Sequence, residues 1–132
     1  MAMTKKEHIA YWLLNADRDW QRAEYCFKNH DYVFCLFCVH LAMEKTCKAA
    51  WVKDNKDNQP PRIHNLEKIL RQTSVELKPE QWDLLVNLNH FNLEGRYPDY
   101  KDKIYKESNR KFTQNILKQV KTLKECLLKE LP

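Results

Sequence analysis

Between Tyr32 and Met43 the chain reads YVFCLFCVHLAM, a stretch apolar on nearly every side of a helix and free of glycine and proline. A helix that is apolar all round has no face to give to water, so other helices must surround it. The stretch turns polar only at Glu44 and Lys45, and the helix is expected to continue to about Asp54 with Asp31 as its cap. Its longest unbroken apolar run, Tyr32 to Val39, is far short of the roughly 20 residues that span a bilayer. The reading is therefore a buried central helix and not a membrane anchor.

The neighbours of such a helix can be read from their stripes. Ile9, Leu13, Ala16, Trp20, Ala23 and Phe27 step alternately by four and three, which draws one apolar line along a first helix over residues 5–28. Thr4 and Glu7 have the spacing of a capping box at its start. The turn Asn29-His30-Asp31 is short, so the first two helices should pack antiparallel. The segment KDNKDNQPPR, residues 53–62, reads as a surface loop, and a short helix over 65–73 carries Leu66, Ile69 and Leu70. Pro79 suits the first turn of the next helix, with Trp82, Leu85, Leu88 and Phe91 inward and Gly95 as a left-handed cap. Phe112, Ile116, Val120, Leu123, Leu127 and Leu131 form the buried stripe of a last helix over 108–130. No strand alternation occurs. The expected architecture is all-α: an up-and-down four-helix bundle with one additional short helix, residues 1–132 forming a single domain.

Composition adds constraints. The 132 residues fit one core. The five cysteines lie in segments that read as helix, the usage of small buried residues in a reducing compartment and not of a disulfide framework. Cys35 and Cys38 have the spacing of a metal or redox pair, but no second pair follows and no strand precedes them. Neither a metal nor a cofactor is expected. No signal-peptide core follows the first residues, so a cytoplasmic protein is expected. Residues 1–100 carry 14 basic and 14 acidic side chains, whereas residues 101–132 carry 9 and 4. The net charge of +5 is thus concentrated in the last quarter, where it would attract an acidic or phosphate-bearing partner, although lysines on the outer face of a terminal helix are usually only solvated.

The helix break at LEGRYPDY, residues 93–100, crowds Arg96, Tyr97, Asp99 and Tyr100 around Pro98, more chemistry than a helix stop requires. Together with VHLAMEKTCKA (39–49) and RIHNLEKIL (62–70), this stretch resembles the HEPN domain family, in an order and spacing that extend over nearly the whole chain. By motif, Glu44, Lys45 and Lys48 match the family's Glu-Lys-x-x-Lys pattern, His64 and Leu66 its His-x-Leu pattern, and Arg96, Tyr97, Pro98 and Asp99 its Arg-Tyr-Pro-Asp corner. The resemblance implies a helical bundle that usually pairs into a homodimer. Such domains are often encoded beside a minimal nucleotidyltransferase in a toxin–antitoxin-like pair, and other members bind nucleotides or cleave RNA.

Physical chemistry suggests roles for the same residues. Lys45 and Lys48 can share a helix face beside Glu44, making either a phosphate site or an ion pair with Arg96 geometrically feasible. Arg96 can hold a phosphate bidentately, while Tyr97 or Tyr100 can stack a base. The alternative is a Glu44–Arg96 pair that only fixes the end of the bundle.

The ribonuclease members of the family carry an arginine followed after about four to six residues by a histidine, a pair able to stabilise phosphate charge and move a proton. Here that window after Arg96 holds Lys101, Asp102 and Lys103. His90 precedes Arg96, and His64 stands two positions after Arg62. Tyr100 and Tyr105 lie near the place where some members carry a nucleotide-accepting tyrosine, without the histidine that accompanies it. The expected function is therefore a non-catalytic nucleotide-binding or partner module, working with a minimal nucleotidyltransferase, through Arg96, Tyr97, Asp99, Tyr100, Lys45, Lys48, Glu44 and His64. The alternative is a metal-independent ribonuclease with a rearranged site, using Arg96 with His90 or His64 on RNA.

Overall fold

The computed structural model describes residues 2–94 and 96–132. The first helix, α1 (Lys5–Lys28), starts as the sequence indicates: the Thr4 hydroxyl accepts from the Glu7 amide and the Glu7 carboxylate from the Thr4 amide. It ends at a turn where His30 takes φ 63°, a left-handed conformation unusual for a non-glycine residue. The second helix, α2 (Tyr32–Asp54), follows, with the Asp31 carboxylate accepting from the Phe34 amide. Its carbonyl end is closed from outside, because the Lys5 ammonium donates to the Val52 and Asn55 carbonyls at 2.8 and 2.7 Å. This places a cation on the negative end of the helix.

As its composition requires, α2 is central. It packs along the whole of α1 and touches every later element except the helix starting at Pro79 in appreciable extent. Its residues from Cys35 to Val52 are almost all buried. Next come α3 (Leu66–Leu70), α4 (Pro79–Leu88), a 3-10 turn (Asn89–Phe91), α5 (Pro98–Glu107) and α6 (Arg110–Leu128). The stripes converge on one core containing Ile9, Trp20, Leu36, Met43, Leu66, Leu85, Val120 and Leu123. Phe112 is the exception in the α6 stripe: it is partly exposed and meets Phe91 edge-on, with centroids 6.1 Å apart.

Two features differ from expectation. The helix from Pro79 stops at Leu88 and tightens to a 3-10 turn, so it is shorter than a full bundle helix. Asparagine chemistry explains this. Asn89 directs its side chain to the Leu66 amide and to Asn65, and Asn92 accepts from the Glu94 amide, each competing with helix continuation. The left-handed cap expected at Gly95 lies outside the described residues. The second difference is α5. Pro98 not only breaks the preceding segment but opens a new helix at its first position, with Tyr97 extended at φ −76°, ψ 157°. The chain is all-α among the described residues, with six α-helices in place of the five expected.

Cys35, Cys38 and Cys47 are buried, as expected of core residues, and burial pushes each thiol up to about 12. Cys126 departs from that pattern and is exposed. No group of three metal-ligating side chains occurs among the described residues. No helix of the described residues is long and apolar enough to cross a membrane.

Candidate functional site

The residues singled out by sequence fall into two clusters. The first lies on α2. Glu44 is nearly buried and accepts from the Lys48 ammonium at 3.1 Å and from His64 Nδ1 at 2.9 Å. Since a carboxylate only accepts, His64 Nδ1–H is the donor in this contact. Lys48 is also nearly buried and lies 5.5 Å from the centre of the Trp12 ring on α1. Lys45 pairs with the buried Asp19, which also accepts from Arg22 at 2.7 Å. The ammonium groups of Lys45 and Lys48 therefore serve the α1–α2 interface.

Behind this cluster sits His40, completely buried. Its Nε2–H donates to the His64 carbonyl at 3.0 Å, while Nδ1 has the Asn89 amide nearby but no well-formed hydrogen bond. The ring is held neutral: burial lowers its pKa below the ordinary histidine value, against the opposing pull of the Glu44 carboxylate and the His64 carbonyl. The sign of the pH effect follows. On acidification the unfolded chain takes up this proton near pH 6.5 while the folded chain does not, so stability present at neutral pH is lost as pH falls below that value. The loss approaches about 1.4 kcal/mol per pH unit for one proton, until the folded pKa is reached. Urea denaturation at pH 7.5 and 5.5 should show this slope, and His40→Gln should flatten it. Equal slopes in both proteins would show that other groups set the dependence.

The second cluster is at the start of α5. The Arg96 guanidinium lies 4.6 Å from the centre of the Tyr100 ring, and its Nε donates to the Asn92 carbonyl at 3.4 Å. No carboxylate pairs with Arg96 among the described residues; Glu44 is committed to Lys48 and His64. The Glu44–Arg96 clamp is thus not formed. Tyr97 is 79% exposed, so its ring is available to a ligand face. Asp99 is exposed in the first turn of α5, favourably placed on the helix dipole. The Tyr100 hydroxyl donates to the His90 carbonyl at 2.7 Å.

Beneath this corner runs a groove of about 350 Å³ between the 3-10 turn, α5 and α6. Phe91, Ile104, Phe112 and Ile116 form its floor; His90, Tyr100, Lys103 and Glu107 supply polar groups. A small apolar cleft with a few polar groups at its edge is the ordinary form of a ligand site. The groove could not be anticipated because α5, which forms one wall, was not. Lys103 and Glu107 follow Tyr100 by three and seven positions, a helical spacing that would have placed them on one face once α5 was recognised.

The two clusters are separate in chemistry but joined mechanically. Glu44 holds His64, Asn65 accepts from the Asn89 amide at 3.2 Å, and the His90 carbonyl holds Tyr100 under Arg96. The His-x-Leu segment is accordingly a tether between α2 and the 3-10 turn.

No curated protein and no solved structure matches the chain. The family model described as "HEPN domain" matches residues 9–131, taking in both clusters and all six helices but for the first turn of α1. A match of that extent, over a chain whose motifs fall at the tether and at the α5 corner, shows that this protein belongs to the HEPN domain family.

Proposed function

We propose that the chain acts as a non-catalytic HEPN module that binds the phosphate and base of a nucleotide at the Arg96 corner. The observation that carries this reading is an exposed guanidinium with no carboxylate partner among the described residues, stacked on Tyr100 above a groove of about 350 Å³. Arg96 supplies charge-assisted hydrogen bonds to phosphate, and Tyr97 and Tyr100 supply aromatic faces. Of the remaining residues named from sequence, Asp99 stands in the first turn of α5, Glu44 and His64 join the tether, and Lys45 and Lys48 serve the α1–α2 interface. Family kinship favours a cytoplasmic module paired with a minimal nucleotidyltransferase in a toxin–antitoxin-like system. Calorimetric titration with ATP, on the parent protein and on Arg96→Ala, tests the binding.

A second reading, RNA cleavage by a rearranged site, draws on one observation: His90, which precedes Arg96 in sequence, shares the groove with Tyr100. Metal-independent cleavage of RNA that disappears in both Arg96→Ala and His90→Ala would establish it in place of the first.

The module is proposed to work as a homodimer. Tyr11, Leu14, Tyr25 and Phe34 leave apolar surface on α1 and α2, at 56%, 50%, 69% and 46% exposure. A specific interface there would bury on the order of 1,200–2,000 Å² in total. Light scattering should give twice the 16.0 kDa chain mass, and the double substitution Leu14→Glu, Tyr25→Glu should return the monomer. A monomer mass for the unsubstituted protein at high micromolar concentration would refute the dimer.

A further inference from the structure

The groove beneath the Arg96 corner is cationic at one end and acidic at the other, and α5 sets the distance between them. Tyr100, Lys103, Ile104 and Glu107 all line it, as residues spaced by three and four must when they share one face of a helix. Arg96 stands over the Tyr100 ring at 4.6 Å, with Lys103 one turn further along. Glu107 lies seven residues beyond Tyr100, about 10 Å along the axis at the α-helical rise. Lys103 and Glu107 are four apart and could pair as ordinary helix neighbours. Among the described ion pairs they do not, and both are exposed, which leaves each open to a ligand.

Between these ends the floor is aromatic. Phe91 is buried, whereas Phe112, whose place in the α6 stripe would otherwise bury it, keeps 38% of its surface open. An aromatic surface of this kind takes the face of a base. Cation, apolar floor and acceptor therefore follow one another in the order of phosphate, base and base edge in a nucleotide. The bases differ in what they present to a carboxylate, which only accepts. Guanine sets two donors side by side, N1–H and the N2 amino group, matching the two carboxylate oxygens. Adenine places the lone pair of N1 beside its one amino group, cytosine does the same with N3, and uracil flanks its N3–H with two carbonyls. Guanine alone meets Glu107 without an acceptor facing an acceptor.

We propose that this groove selects guanine nucleotides, an inference that rests on the reading of the Arg96 corner as a nucleotide site. Arg96 and Lys103 hold the phosphates, Phe91 and Phe112 lie under the base, and the Glu107 carboxylate accepts from guanine N1–H and the N2 amino group. Glu107 is then the residue that determines specificity, while Arg96 supplies affinity common to every nucleotide.

The test is calorimetric titration with GTP, ITP and ATP, which share their phosphates and differ in the base. GTP should bind at least about tenfold tighter than ATP, the discrimination usual for a two-bond contact to a base edge. ITP keeps N1–H but lacks the N2 amino group, and should fall between them. Glu107→Gln should weaken GTP about tenfold and strengthen ATP, because the new amide donates to adenine N1. Arg96→Ala should weaken all three alike. The ITP comparison needs no substitution, so it holds whatever Glu107→Gln does to folding. Equal affinity of the parent protein for GTP and ATP would overturn the guanine assignment and leave the corner a nucleotide site. A preference for GTP that persists in Glu107→Gln would overturn the role of Glu107. A parent protein that binds none of the three overturns both readings.

Discussion

Glu44→Ala should destabilise the folded protein by about 3–5 kcal/mol, the usual consequence of removing one member of a buried ion pair. The carboxylate is 8% exposed in its side chain and serves two donors, Lys48 at 3.1 Å and His64 at 2.9 Å. After truncation the Lys48 ammonium, itself 8% exposed, keeps only the Trp12 ring at 5.5 Å. That contact offsets part of the desolvation of a lone charge but not most of it. For a chain of this length the loss corresponds to a fall in melting temperature of roughly 10–20 °C. Two further variants separate causes. Glu44→Gln keeps an acceptor for His64 and Lys48 and should cost less, because shape and one hydrogen-bonding oxygen survive. The double substitution Glu44→Leu, Lys48→Met removes both charges and should recover most of the stability, since apolar replacement of a whole buried pair is often neutral. A Glu44→Ala protein within about 1 kcal/mol of the parent would mean that water reaches Lys48 freely, and the pair would then count as a surface interaction.

The core of this arrangement was legible because it is periodic. Ile9 to Phe27 and the run from Tyr32 declare which faces are buried, and α1 and α2 begin and end where their caps stand. The region after Leu88 was harder for a physical reason. Asn89 and Asn92 choose between helix and side-chain bridges, and the partner of Asn89, the Leu66 amide, is 23 positions away. The helix α5 was hidden for a different reason. It buries only Ile104, so it has no stripe to read, and the proline that opens it is equally a proline that stops another helix. The same rule that places Pro79 at the start of α4 would have placed Pro98 at the start of α5.

The site shows the same division. The motifs pointed to the right segments, but identity does not say which way a charge faces. Lys45 and Lys48 are basic residues beside an Arg-Tyr-Pro-Asp corner in sequence reasoning; in the fold they answer Asp19 and Glu44. The burial of Lys48 was foreshadowed by the apolar character of α2, which leaves little solvent for most of its residues. Conversely His90, set aside for its position ahead of Arg96, is brought into the groove with Tyr100 by the 3-10 turn.

Arg96→Ala should weaken ATP binding by about tenfold or more while barely moving the melting temperature. The first half follows from charge-assisted hydrogen bonds to phosphate, each contributing roughly 1.5–3 kcal/mol when made by a guanidinium. The second half follows from its surroundings: the side chain is exposed, has no carboxylate partner among the described residues, and rests on the Tyr100 ring and one long contact to the Asn92 carbonyl. Contacts of that kind carry little stability. Arg96→Lys keeps the charge but loses the planar fork, so it should recover only part of the affinity. Tyr100→Phe keeps the ring beneath Arg96 and removes the bond to the His90 carbonyl; affinity should fall less than in Arg96→Ala if stacking is what Tyr100 supplies. Calorimetric titration and a thermal melt of the four proteins decide the matter together. A parent protein that binds no nucleotide, with an Arg96→Ala variant that melts several degrees lower, would make the corner a structural clamp despite its exposure. Binding that survives Arg96→Ala intact would move the phosphate to some other group and overturn the assignment of the corner.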